Sequence, residues 1–401
     1  MSNHVTEAAA QLRWWLRLPP TNLIDRGDHI RYRYALYLMI HQVATVLYGM
    51  NGLPEAMYYP SRLVSARTRL DGLARAPERA GSVLWTLATE RDPEKAWAAA
   101  AGLIRDTLAL LHESADGPGS MGWEVEEGSF KPDQSRDPDD LYALAAEIAE
   151  RLRLLEGVSA VALGGSLGRG YADSQSDIDL LVFGPGIPRE DDRQRLISAW
   201  PDIGPWPDIG PWPDIRHGPL IEPACDSVLL DGAMVHIRYW TRQTVEDMLA
   251  AFPRPPAQRI LAEELQNCHV LIDPDGRLSA WKGALQHIPP ELVTAICEEA
   301  RRRLPAFSVQ WQNAHGADDR IHLYCLANQA VNDFLIALYI QNGRFLSTPR
   351  WVHIDSPAID VGTLELDFRL ASLTDGIDER KDTVARWRAL EVLWGEFVGM
   401  G

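Results

Sequence analysis

One run, ALGGSLGRGYADSQSDIDLLV from Ala162 to Val182, limits what this chain can fold into more than any other. VSAVAL reads as a short strand that ends at Gly164-Gly165-Ser166, and SDIDLLVF reads as a second strand after a loop or helical turn. Glycines at a strand end let backbone N–H groups approach an anion, and a following helical turn presents its positive end. The turn therefore predicts a phosphate cradle. Eleven residues after Ser166, Asp177 and Asp179 lie two apart on a strand and share one face. Flanked by Ile178, Leu180 and Leu181, they read as a hard-oxygen pair suited to Mg²⁺. Cradle and carboxylates together predict metal-assisted transfer on a nucleoside triphosphate.

The surroundings place this unit in an α+β context. DDLYALAAEIAERLRLL is an amphipathic helix with Asp139 or Asp140 as N-cap. CDSVLLDGAMVHIRYW is a hairpin turning at Asp231-Gly232, with Ser227 opposite His236 and Asp226 on the other face. TVEDMLAAF is a helix, and CHVLIDPDG a last strand and turn. The Asp28–Asn51 and Glu94–His112 segments are helical; Ser114–Asp140, rich in Gly, Pro and Asp, is a linker or long surface loop. Helical periodicity returns from about Pro289. The expected division is a helical domain with linker at 1–136, an α/β domain at 137–280 and a second helical domain at 281–401.

The GGS turn, the spacer and the Asp-hydrophobic-Asp-hydrophobic strand resemble the nucleotidyltransferase fold of the DNA polymerase β superfamily. Gly165-Ser166-Leu167-Gly168-Arg169-Gly170 most resembles its small bacterial members, among them antibiotic nucleotidyltransferases and minimal nucleotidyltransferases paired with toxins. The resemblance covers Asp139 to Arg277. It implies a mixed β-sheet with flanking helices, with Gly164, Gly165 and Ser166 holding the β,γ-phosphates, Asp177 and Asp179 ligating Mg²⁺, and Arg169 near phosphate. It further implies transfer of a nucleoside monophosphate, AMP from ATP in the first instance, to a hydroxyl of a small molecule or a protein, with release of pyrophosphate.

That family places a third carboxylate on a later strand, where this chain has His236 between Val235 and Ile237. Imidazole can serve as a general base but lacks the charge that suits Mg²⁺. Three readings stay open: His236 as the base of a working transferase; an acid elsewhere, Asp226 or Asp231, in a different register; or nucleotide binding with little transfer, as in a scaffold or an antitoxin-like protein acting on a partner.

The whole-chain charge bears on partners. The 39 basic and 56 acidic residues leave a net charge of −17, which argues against long nucleic acids but not against a small anion in one pocket. Cys225, Cys268, Cys297 and Cys325 are scattered without CxxC spacing, so neither a zinc site nor a disulfide framework is expected. The first twenty residues lack signal-peptide character, and Ala35–Met50 is too short and interrupted to span a bilayer. A soluble cytoplasmic protein without a membrane partner is expected, and apolar helical domains make a homodimer reasonable.

Two repeats stand out. WPDIGP at Trp200–Pro205 recurs at Trp206–Pro211 and begins again at Trp212–Ile215, either as a tolerated surface duplication or as a tryptophan-lined flap. A shift of 291 superposes Asp28, Ile30, Leu47, Tyr48, Asn51 and Gly52 on Asp319, Ile321, Leu338, Tyr339, Asn342 and Gly343, which suggests two related helical domains. Arg105 and His112 share one helix face and loosely match an arginine–histidine ribonuclease pattern, but so do many core-edge pairs. The fourteen tryptophans read chiefly as packing residues.

Overall fold

The computed structural model describes residues 3–17, 24, 28–54, 66–113, 137–174, 176–200, 224–256, 259–352, 359, 369–370, 372–375 and 380–397. Two compact units result: Met1–Phe130 with Cys297–Leu338 and Thr348–Gly401, and Lys131–Ile296 with Tyr339–Ser347. The repeated WPDIGP segment beyond Trp200 and most of the Ser114–Asp140 linker lie outside the described residues.

The second unit holds the α/β motif. Its five strands are β1 (Ala160–Leu163), β2 (Ile178–Gly184), β3 (Ala224–Leu230), β4 (Ala233–Thr241) and β5 (His269–Ile272), in the spatial order β3-β4-β2-β1-β5. β2 and β4 run parallel, and the other pairs are antiparallel. The sheet is therefore mixed, as expected. Asp231 and Gly232 both have positive φ, 50° and 73°, the conformation a two-residue hairpin turn requires. The resulting register pairs Ser227 with His236, as the sequence predicts.

Alternation divides the sheet into two faces. One carries Val161, Leu163, Ile178, Leu180, Val182, Val235, Ile237 and Tyr239, all buried in one apolar cluster with Leu141, Ala145, Ile148 and Leu152 of helix Pro138–Leu152. Each large side chain so buried contributes about 1.5–3 kcal/mol. The helix starts one step earlier than expected. Asp137, not Asp139 or Asp140, is its N-cap and accepts from Asp139 N–H at 3.0 Å, because Pro138 fills the first helical position, where an N–H is dispensable. Trp200, first residue of the hexapeptide repeat, is buried in the same cluster. The opposite face of the sheet carries Cys225, Ser227, Asp179, His236 and Arg238.

The 291-residue repeat becomes three-dimensional in two helices of the other unit, the second of which ends within Tyr339–Ser347. Helices His29–Met50 and Arg320–Gln341 have 22 residues each, and both ends differ by the same shift. Asp28 and Asp319 cap them through Arg31 N–H at 3.0 Å and His322 N–H at 3.1 Å. At the far ends Gly52 and Gly343 adopt φ of 66° and 71°. There Leu53 N–H bonds Tyr48 O at 3.0 Å, and Arg344 N–H bonds Tyr339 O at 2.9 Å. The helices also touch at matching levels: Tyr324 Oη donates to Arg33 O at 2.8 Å, and Gln329 Nε2 to Tyr37 Oη at 3.2 Å. The N- and C-terminal helical segments thus contribute to one compact unit.

The described tryptophans of this unit pack as expected: Trp15 donates to Gln42 at 2.8 Å, Trp311 to Thr383 O at 3.1 Å, and Trp394 is fully buried against Phe334. Helix Arg320–Gln341 has the length and hydropathy of a membrane span, but 89% of its most apolar window is buried within the protein, as in a core helix. Because the caps are equivalent, Asp28→Ala and Asp319→Ala should each cost about 1 kcal/mol, and by similar amounts, in chemical denaturation.

Candidate active site

The glycine turn is built around one aspartate. Gly164 N–H donates to the backbone carbonyl of Asp179 at 2.7 Å, fastening the turn to β2. Gly165 has φ of 59°, and a Cβ there would lie 2.1 Å from Asp179 Oδ2. Only glycine combines that backbone conformation with that approach. The helical turn Gly165–Arg169 follows, and Tyr142 Oη donates to its Leu167 carbonyl, tying it to the helix beneath the sheet. The first amides of such a turn are the donors that a helix leaves without an intrahelical acceptor.

Across the parallel pairing, Asp179 is level with His236. The imidazole Nδ1 lies 2.8 Å from Ser227 Oγ, and Nε2 lies 3.6 Å from Asp177 Oδ2, a charge contact rather than a hydrogen bond. Two residues further along β4, Arg238 Nη2 donates to Asp179 Oδ1 at 2.6 Å. Its Nη1 pairs with Glu264 of helix Arg259–Asn267. The Arg238 and Asp179 side chains are 2% and 0% exposed, whereas Asp177 is 26% exposed.

Of the residues singled out from the sequence, Gly164, Gly165, Asp177, Asp179 and His236 come together, with Ser166 buried in the turn. Arg169 is engaged elsewhere: it donates to Glu263 at 2.7 Å, and both side chains are buried. Asp226 faces the other side of the sheet and pairs with Arg193 at 2.9 Å, so it does not complete the site. Asp231 is in the hairpin turn. Arg105 and His112 are both exposed on helix Pro93–Glu113. Arg238 and Glu264 join the site without a motif of their own. Two-residue periodicity from His236 was the available signal for Arg238, whereas Glu264 reaches the site only through tertiary folding.

The arrangement does not fit a Mg²⁺ centre bridging Asp177 and Asp179. A hard dication takes several oxygen ligands. Here one Asp179 oxygen accepts from Arg238, and the other lies against the Gly165 backbone. Asp177 is the more open carboxylate, and His236 beside it is buried. Among the described residues no three His, Cys, Asp or Glu side chains converge as metal ligands.

Cys225 is on the same face, yet burial outweighs the neighbouring Arg238 and pushes its thiol up to about 11. At about pH 8 roughly one thiol in a thousand would be ionised, so iodoacetamide should leave Cys225 unlabelled in the native protein. Gly170, with φ of 76° and open space around it, isolates the conformational cost of a side chain there. Gly170→Ala should cost about 1–2 kcal/mol. Gly165→Ala should cost a further ~1–3 kcal/mol from the clash with Asp179, both read by chemical denaturation.

Residues 145–217 match the family model of the nucleotidyltransferase domain. The match includes the glycine turn and both aspartates and ends before β3, so His236 and Arg238 lie beyond it. No curated protein matches the chain. Among solved structures, a nucleotidyltransferase-like protein from Exiguobacterium sibiricum aligns with 13% identity and a TM-score of 0.29, over 65% of this chain and 78% of that one. The matched segment, with its turn and aspartates on neighbouring strands, identifies the chain as carrying a nucleotidyltransferase domain of the DNA polymerase β type, and hence as a transferase.

Proposed function

We propose that the chain transfers a nucleoside monophosphate, AMP from ATP in the first instance, to a hydroxyl of a small molecule or a protein. The observation that carries this reading is His236, held between Ser227 and Asp177 and level with Asp179. The acceptor hydroxyl gives its proton to Nε2 as its oxygen bonds the α-phosphorus, and the bond from that phosphorus to the β-phosphate oxygen breaks to release pyrophosphate. Asp177 offsets the charge that develops on the imidazole, and Ser227 orients the ring. The glycine turn and Ser166 steady the departing phosphates. Arg169, paired with Glu263, acts by fixing the turn rather than by touching phosphate.

A second reading, nucleotide binding with little transfer, is favoured by the Arg238–Asp179 pair and by the absence of a carboxylate at position 236. Calorimetric titration with each nucleoside triphosphate, followed by α-labelled ATP added to cell extract with the protein, separates the two. Transfer to an extract component should fall about 10²–10⁴-fold in His236→Ala, while ATP affinity stays within about threefold. Transfer undiminished in His236→Ala refutes the base role, and binding without transfer leaves the second reading. Failure of any nucleotide to bind the folded protein refutes both.

A further inference from the structure

We infer that Arg238 takes the place of a divalent cation at Asp179, so that no metal is coordinated by that aspartate. The inference rests on the nucleotide-site reading above, but its central claim concerns Asp179 alone. Three observations carry it. Arg238 lies on the face and strand from which a third metal-binding carboxylate would project, two residues from His236. Its guanidinium is shared between Asp179, at 2.6 Å, and Glu264, so a cationic group already partners the aspartate. Asp179 is also closed from its other side, where even a methyl group on Gly165 would overlap its second oxygen.

Geometry and charge act in the same direction. A cation entering at Asp179 must compete with a guanidinium that already donates to that buried carboxylate, and it would sit beside that like charge.

The test is Mn²⁺ titration of the full-length protein followed by electron paramagnetic resonance, without nucleotide, together with ATP titration calorimetry in Mg²⁺ and in EDTA. The expected results are no Mn²⁺ bound with a Kd below about 1 mM, and ATP affinities that agree within about twofold. One Mn²⁺ per chain bound more tightly than that and lost in Asp179→Asn, or ATP binding strengthened about tenfold or more by Mg²⁺, overturns the inference. Arg238→Gln should acquire Mn²⁺ binding that raises its melting temperature. Should that variant fail to fold, the wild-type titrations still decide. A protein that binds no ATP refutes the nucleotide-site reading, and the nucleotide-free Mn²⁺ titration then still tests Arg238 separately.

Discussion

The second unit is organised around a buried ion triad, with Arg238 between Asp179 and Glu264. Removing such charges from water costs several kcal/mol each, and losing one partner of a buried pair costs about 3–5 kcal/mol. The arrangement persists because Asp179 is held from several directions. Its backbone carbonyl accepts from the glycine turn, its carboxylate meets Arg238, and its second oxygen lies over Gly165. One residue therefore fixes β2, the turn, β4 and helix Arg259–Asn267 relative to one another. At an effective dielectric near 20, unit charges about 4 Å apart interact by roughly 4 kcal/mol, enough for a guanidinium to offset much of what attracts a cation to Asp179.

Helix Arg259–Asn267 shows how the unit secures the turn from behind. Glu264 answers Arg238, while adjacent Glu263 accepts from Arg169 and from Ser347 N–H at 2.6 Å. Gln266 donates to the carbonyls of Leu285 and Gly343, each at 2.8 Å, and accepts from Phe345 N–H at 2.9 Å. A cation in the glycine-turn motif is thus committed to a structural pair. The basic residue expected near phosphate instead holds the motif in shape.

Local physics made much of this legible. Glycines at a strand end, two-residue alternation and an Asp-Gly turn specify the hairpin register that pairs Ser227 with His236, whereas the parallel pairing that brings His236 level with Asp179 is long-range. The caps and Asn-Gly ends of the 22-residue helices were visible as identities at a shift of 291. Long-range partnership was not visible. Arg238 on a strand reads the same whether it faces solvent or a buried carboxylate. Glu264 and Glu263 belong to a helix whose docking on the site leaves no local signature. Pro138, by occupying the first helical turn, moved a cap by two residues from its expected place.

Charge balance bears on what the rest of the face can hold. Arg238 answers two carboxylates, Asp179 and Glu264, so the buried triad keeps one negative charge in excess. A further carboxylate buried at position 236 would add to that excess. The imidazole there adds none when uncharged and retains a group able to accept a proton, and the nearby Asp177, 3.6 Å from its Nε2, keeps 26% of its side chain in solvent.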